Sequence, residues 1–162
     1  MAVNEYQGAR SYIDLMERLR DSCLDNKSIS TVTVGDLSEV DLDKQSIYPL
    51  AHIMINTANF NSTIITYDVS ILFMDVVHSD TTENEAVIYD NDNLNFVLNT
   101  MINAGNHITD EFNSGVLNDG NTRINRETVS AEPFKDRFEN LVAGWAFNFQ
   151  VETRNNINRC LT

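Results

Sequence analysis

The stretch Ala143-Gly144-Trp145-Ala146-Phe147-Asn148-Phe149-Gln150-Val151-Glu152 constrains the fold more than any other part of this chain. On an extended backbone Ala143, Trp145, Phe147, Phe149 and Val151 project to one side, and Gly144, Ala146, Asn148, Gln150 and Glu152 to the other. Such a strand must bury a large aromatic face against a second layer, which makes Trp145, Phe147 and Phe149 the expected core anchors. Truncating Trp145 to Ala is expected to cost about 3–5 kcal/mol if the ring is buried, whereas an exposed ring would be a partner-binding anchor. The run Glu132-Pro133-Phe134-Lys135-Asp136-Arg137-Phe138-Glu139-Asn140 leads into this strand. The clearest features of the sequence are therefore packing features, and they point to a structural or assembly role.

The remaining elements follow from periodicity. Ala9, Tyr12, Ile13, Met16, Leu19 and Cys23 recur at helical spacing, which predicts an amphipathic first helix of about five turns, stopped by Asn26-Lys27-Ser28. Thr31 to Val34 reads as a short strand closed by Gly35-Asp36, and residues 36–46 as a polar connector lying on the domain. Two β-rich runs, 47–56 and 63–77, are separated by an Asn-rich turn at 57–62, the pattern of an antiparallel hairpin. Both runs are partly apolar on both faces, so helix, another sheet or a neighbouring subunit should cover each side. Pro49 lacks an amide donor, which assigns that end of its strand to an edge or a bulge. Residues 78–90 form an acidic loop, after which Asp90 or Asn91 caps a long helix over 91–114. Its buried stripe is Leu94, Val97, Leu98, Met101, Ile102, Ile108 and Phe112. Gly105 falls on that stripe at a cost of about 1 kcal/mol relative to Ala, which close approach to the sheet would explain. Strands at 123–133 and 141–153 complete a single α+β domain over residues 1–162, two long helices packed on a mostly antiparallel sheet.

Charge narrows the function. The 162 residues carry a net charge of −13, with three Lys against eight Arg, and such a surface repels phosphate backbones instead of gripping them. The charge argues against a sequence-reading nucleic-acid binder, while a passage through which DNA slides without sticking is compatible. Met1-Ala2-Val3-Asn4-Glu5 lacks the basic and apolar regions of a signal peptide. No apolar run approaches the ~20 residues of a membrane span, so a soluble chain made inside the cell is expected, with no membrane contact. Cys23 lies on the apolar stripe of the first helix and reads as a buried free thiol. A bridge to Cys160 stays open, although an intracellular compartment disfavours it.

Nothing in the sequence assembles a catalytic centre. His52, His78 and His107 sit on three different elements without metal-ligand spacing, and no Cys/His cluster supplies a zinc site. Nor is there a nucleophile motif or a Gly-rich phosphate loop. Asp68 and Asp75 are seven residues apart on one strand and point to opposite faces, so they form no carboxylate pair. Asp75, near the end of an apolar strand, is expected to take an ion-pair partner such as Arg137. Asp90-Asn91-Asp92 resembles the start of a calcium loop, but Asn95 and Met101 stand where the loop requires Gly and Glu. The chain is accordingly read as non-enzymatic, with no cofactor and no metal. Its twenty-one Asn gather in turns and on the exposed face of the second helix, at Asn95, Asn99, Asn103 and Asn106.

At Tyr48-Pro49-Leu50-Ala51-His52-Ile53, Tyr67-Asp68-Val69, Met74-Asp75, Glu132-Pro133-Phe134, Arg137-Phe138-Glu139-Asn140 and Gly144-Trp145 the chain resembles small structural proteins of tailed bacteriophages. The nearest likeness is to neck or tail ring proteins of crAss-like phages infecting Bacteroidetes. The element order also resembles the tail terminator and tail completion fold, in which two helices pack on an antiparallel sheet and subunits form rings. The resemblance covers about residues 30–160 and excludes the first 30. It implies a virion protein assembled in the host cytoplasm, a head-to-tail connector or tail terminator whose homo-oligomeric ring contacts portal, neck and tail proteins. DNA would pass through that ring without sequence-specific binding. The loops 36–46, 56–63 and 78–90 are expected to reach neighbouring subunits or the adjacent ring. Asp80, Glu83 and Glu85 would form an acidic patch facing the lumen or the rim, and their reversal to Lys should create salt-sensitive DNA retention. The alternative is a small non-catalytic protein-binding module.

Overall fold

The computed structural model describes residues 10–42, 44–78, 93–114, 117, 120, 122–135 and 141–155. In chain order these form α1 (Arg10–Asp25), β1 (Thr31–Val34), β2 (Leu50–Phe60), β3 (Ile64–Val76), α2 (Leu94–Ser114), β4 (Thr122–Lys135) and β5 (Val142–Arg154). The fold is α+β, with one five-stranded mixed sheet in the order β1-β2-β3-β5-β4. Three of its pairings are antiparallel, and β1 runs parallel to β2. That parallel pair is the exception in a sheet whose other pairings are antiparallel. It exists because residues 35–49 carry the chain back to the starting end, a crossover of the length parallel neighbours require.

The β2–β3 hairpin defines an upper end of the sheet, and Pro49 with Val76 marks the lower end. The turn is tighter than the Asn-rich run predicts: β2 continues to Phe60, and Thr57, Ala58, Asn59 and Phe60 pair with Asp68, Tyr67, Thr66 and Ile65. A register shift between Ile55 and Thr57 absorbs one residue, so Asn56 is a bulge inside the strand. Pro49 precedes β2, and its carbonyl accepts hydrogen bonds from the amides of Ser30 and Thr31. The missing donor is therefore placed outside the ladder.

Both helices lie on one face, over Ala51, Ile53, Ile65, Tyr67, Val69, Ile71, Phe73, Phe147, Phe149 and Val151. From α2 the buried residues are Val97, Met101, Ala104, Gly105, Ile108 and Phe112. Phe147 meets Phe73 edge-on, with ring centroids 5.6 Å apart, and Phe149 meets Phe112 at 5.9 Å, geometries that suit the ring quadrupoles. A Cβ on Gly105 would overlap the Phe147 ring, so this glycine lets α2 descend onto β5. In α1 the buried arc is Leu15, Met16, Leu19, Ser22 and Cys23, while Tyr12 and Ile13 are exposed. The arc is thus rotated from the one read in the sequence. This helix has apolar residues around much of its circumference, and contact with the sheet selects among them; Tyr12 packs instead over the Tyr67 ring.

The opposite face is covered only at the lower end. There Leu37, Val40, Leu42 and Ile47 of the connector pack on a second cluster of Tyr48, Leu50, Leu72, Met74, Phe134 and Val142. Asp36 starts the first 3-10 turn of the connector by accepting from the Ser38 amide, and Tyr48 Oη donates to the Leu42 carbonyl. Double coverage explains the apolar character of β3 on both faces: from Val69 to Met74 every residue is buried. No neighbouring subunit is needed for that burial.

Candidate functional site

Above the connector the second face of the sheet is open, and its side chains bond to one another across strands. Asn56 Nδ2 donates to Ser70 Oγ at 2.7 Å, and Ser70 Oγ donates to Asn148 Oδ1 at 2.6 Å. In the next row the Thr57 hydroxyl donates to Asp68 Oδ2, and Gln150 Nε2 donates to Asp68 Oδ1 at 2.7 Å. Both rows follow from register, since Ser70 stands opposite Asn148 and Asp68 opposite Gln150 in the β3–β5 pair. The result is a polar surface whose central groups already have partners, with the Asp68 carboxylate at its middle.

This face ends in an open cleft of about 580 Å³ at the upper edge, between the β2–β3 turn and the ends of β4 and β5. Ser62, Thr63, Gly120, Arg123, Glu152 and Arg154 are among its lining residues. Arg123 donates from Nε to Glu152 Oε2 at 2.6 Å, and its terminal nitrogen lies equally close to the same oxygen. The Thr153 hydroxyl, also at the cleft, is buried and has no hydrogen-bond partner among the described residues.

The residues singled out in the sequence are scattered. Phe147 and Phe149 are buried in the main core. Trp145 is half-buried beside them, its Nε1 donating to the Leu98 carbonyl at 2.8 Å, so it flanks α2 and is neither a sealed core residue nor an exposed anchor. Asp80, Glu83 and Glu85 lie outside the described residues, as do the helix cap at Asp90 or Asn91, Arg137 and Cys160. Asp75 and Asp68 do point to opposite faces. Burial raises the Asp75 carboxyl above its ordinary range, while the Val76 amide donates to its Oδ1 at 2.8 Å. The three histidines stand apart. His52 is buried between Thr33 Oγ1 at 2.7 Å and the Gly35 carbonyl at 3.0 Å. His107 lies 3.8 Å from Glu111 on exposed α2, and the His78 amide donates to Asn93 Oδ1 at 2.8 Å. Cys23 is free and buried, and desolvation pushes its thiol up to about 12, which leaves it unreactive at neutral pH. Asn95, Asn99, Asn103 and Asn106 are exposed along α2.

Among the described residues no three His, Cys, Asp or Glu side chains gather closely enough to hold a metal ion, and no helix is long and apolar enough to cross a membrane. Arg123, Glu152 and Arg154 went unnoticed in the sequence. Their only signal was alternation, which put Glu152 on the polar side of its strand; which strand would lie opposite it depends on the tertiary pairing. Compared with known proteins, the chain matches no family model and no curated protein sequence.

Proposed function

We propose that this chain is a structural virion protein of a tailed bacteriophage, building a closed ring in the neck or tail as a head-to-tail connector or tail terminator. The half-open sheet carries this reading. Two helices thicken one face, and the other presents rows of cross-strand hydrogen bonds around Ser70 and Asp68. Such a face is stable against water and needs no apolar partner, as the wall of a wet passage requires. The carboxylate at its centre and the net charge of −13 disfavour retention of DNA phosphate. In this reading the protein is not an enzyme and uses no cofactor or metal. It works through contacts with copies of itself and with portal, neck and tail proteins, in a tail terminator-like arrangement.

Native mass spectrometry and micrographs of the full-length chain test the proposal. A closed particle at a small whole-number multiple of 18.4 kDa is expected. A chain that stays at 18.4 kDa at every concentration and in the presence of its neighbours in the virion overturns it. The alternative, a small protein-binding module, draws on Phe60, which is 72% exposed at the end of β2 as an interface anchor would be.

A further inference from the structure

The two edges of the sheet are built differently. β4 carries Arg123, Arg126, Glu127, Glu132, Lys135, Pro133 and a break in its pairing, devices that hinder the addition of another strand. The other edge is β1, Thr31-Val32-Thr33-Val34, with no charge, no proline and no register shift. Its hydrogen bonds alternate. The amides of Thr31 and Gly35 donate inward, to the Pro49 carbonyl at 3.2 Å and the Ile53 carbonyl at 3.1 Å. The period of two then directs the amides and carbonyls of Val32 and Val34 outward, where no described residue pairs with them.

The helix beside this edge is apolar there too. α1 lies over β1 and β2, with α2 over β3, β4 and β5. Ile13 and Leu24 of α1 are exposed. At about 100° per residue they stand roughly 200° and 220° around the helix from Ser11. The Ser11 hydroxyl bonds to Tyr67 Oη of β3 at 3.2 Å, so Ile13 and Leu24 lie on the flank turned away from β3, toward the β1 edge. Val32 packs on the helix-covered core, and exposed Val34 shares its face of the strand.

We propose that β1 is a docking strand for β1 of a second copy, paired antiparallel about a two-fold axis at Thr33. Val32 of each copy then stands opposite Val34 of the other, and their outward amides and carbonyls bond reciprocally. Charge selects this occupant and this direction. Lys27 and Asp36 are exposed beyond opposite ends of the strand, so antiparallel pairing brings each lysine end to the other copy's aspartate end. Within residues 26–35 Lys27 is the sole charge, so the acidity of the whole chain is not concentrated at the seam. The same axis sets the two α1 helices side by side, with Leu24 of each turned toward the other. The contact is isologous and stands apart from the ring reading, which needs heterologous contacts.

Amide exchange of the full-length chain, followed residue by residue by NMR over about a hundredfold range of concentration, tests the pairing. Thr31, Thr33 and Gly35 should stay protected by β2 throughout. Val32 and Val34 should gain protection about tenfold or more with concentration, in step with sedimentation passing from one chain of 18.4 kDa to a pair. Val34→Pro removes an outward donor and spares the bonds to β2, and Val34→Lys puts a cation at the seam of each copy. Each should weaken association about tenfold or more, with melts verifying that the variants fold. The exchange pattern of the unmodified chain decides the matter if they do not. Association unchanged in folded variants, or a chain that stays at 18.4 kDa throughout, overturns the pairing. So does protection of Val32 and Val34 at every dilution, which assigns the edge to a segment of the same chain. Protection that appears only on adding another virion protein assigns the edge to that protein and overturns the pairing as well. Rings in which both valine amides exchange freely overturn the pairing and leave the ring reading standing. Pairs with both amides protected that never grow larger, even with the virion neighbours present, uphold the pairing and overturn the ring.

Discussion

Gly105 sits where α2 crosses β5, and the two sides of its energetics oppose each other. Replacing it with Ala gains about 1 kcal/mol of helix propensity. The new Cβ, however, would overlap the Phe147 ring, which already packs against the Phe73 ring with centroids 5.6 Å apart. Overpacking of this kind costs about 1–3 kcal/mol, so Gly105→Ala should lower stability by up to about 2 kcal/mol net. A urea denaturation midpoint that rises instead would refute the close-approach account. His52 gives a second prediction at this scale. A carbonyl only accepts, so Nε2 donates to Gly35 and Nδ1 accepts from the Thr33 hydroxyl. Burial holds the imidazole below its ordinary pKa of 6.5, outweighing the upward pulls of the Gly35 hydrogen bond and the Asp36 charge. The unfolded chain then binds a proton that the folded chain refuses. The contribution is whole above pH 6.5 and is lost as pH falls below it. Asp75 has the opposite sign: its raised carboxyl keeps its proton longer in the folded state, and the cost of ionising it grows as pH rises past 3.8. The melting temperature should drop between pH 7 and 5.5, and His52→Gln should flatten that slope. An unchanged slope in the variant would assign it to other groups.

At the scale of elements, β5 is the centre of the fold, with β3 on one side, β4 on the other and α2 across it. Its aromatic residues are not equivalent. Phe147 and Phe149 face the rings of Phe73 and Phe112, whereas Trp145 lies half-buried beside α2. Phe147→Ala is expected to cost about 3–5 kcal/mol, and Trp145→Ala at least about 1 kcal/mol less. Trp145→Phe should cost about 1 kcal/mol for the lost bond to the Leu98 carbonyl. Chemical denaturation of the three variants orders them, and a Trp145→Ala loss larger than that of Phe147→Ala would show the order to be wrong. The edge strand β4 is built differently. Its pairing with β5 is interrupted between Asn125 and Ser130, and Thr128 Oγ1 takes over by accepting from the Gln150 amide at 2.9 Å. Arg126 Nε reaches Asn113 Oδ1 at 2.7 Å, tying the excursion to the end of α2. With Pro133 also on this edge, β4 presents a poor template for strand addition. Subunit contacts in the proposed ring are thus assigned to loops and strand ends instead of a sheet continued through β4.

For the whole molecule, assembly couples to stability. If the ring forms only from folded subunits, its melting temperature should rise with protein concentration, as mass action requires. Scanning calorimetry over about a hundredfold range of concentration measures this, and a midpoint independent of concentration would mean that folding and association are separate. Much of the fold was legible along the chain. The 2.0-residue alternation from Ala143 to Glu152 and the 3.6-residue stripe from Val97 to Phe112 are local patterns, and backbone geometry converts them directly into a strand and a helix. Gly105 belongs with them, because a glycine on an apolar helical stripe already implies a close neighbour. Tertiary structure alone decided the parallel pairing of β1 with β2, the insertion of β5 between β3 and β4, and the arc of α1 that is buried. It also decided the candidate site: Ser70 meets Asn148 across 78 positions of sequence and Arg123 meets Glu152 across 29. The physical reason is that periodicity states which face of an element is apolar, whereas the choice and register of its neighbours is settled by burial summed over distant segments.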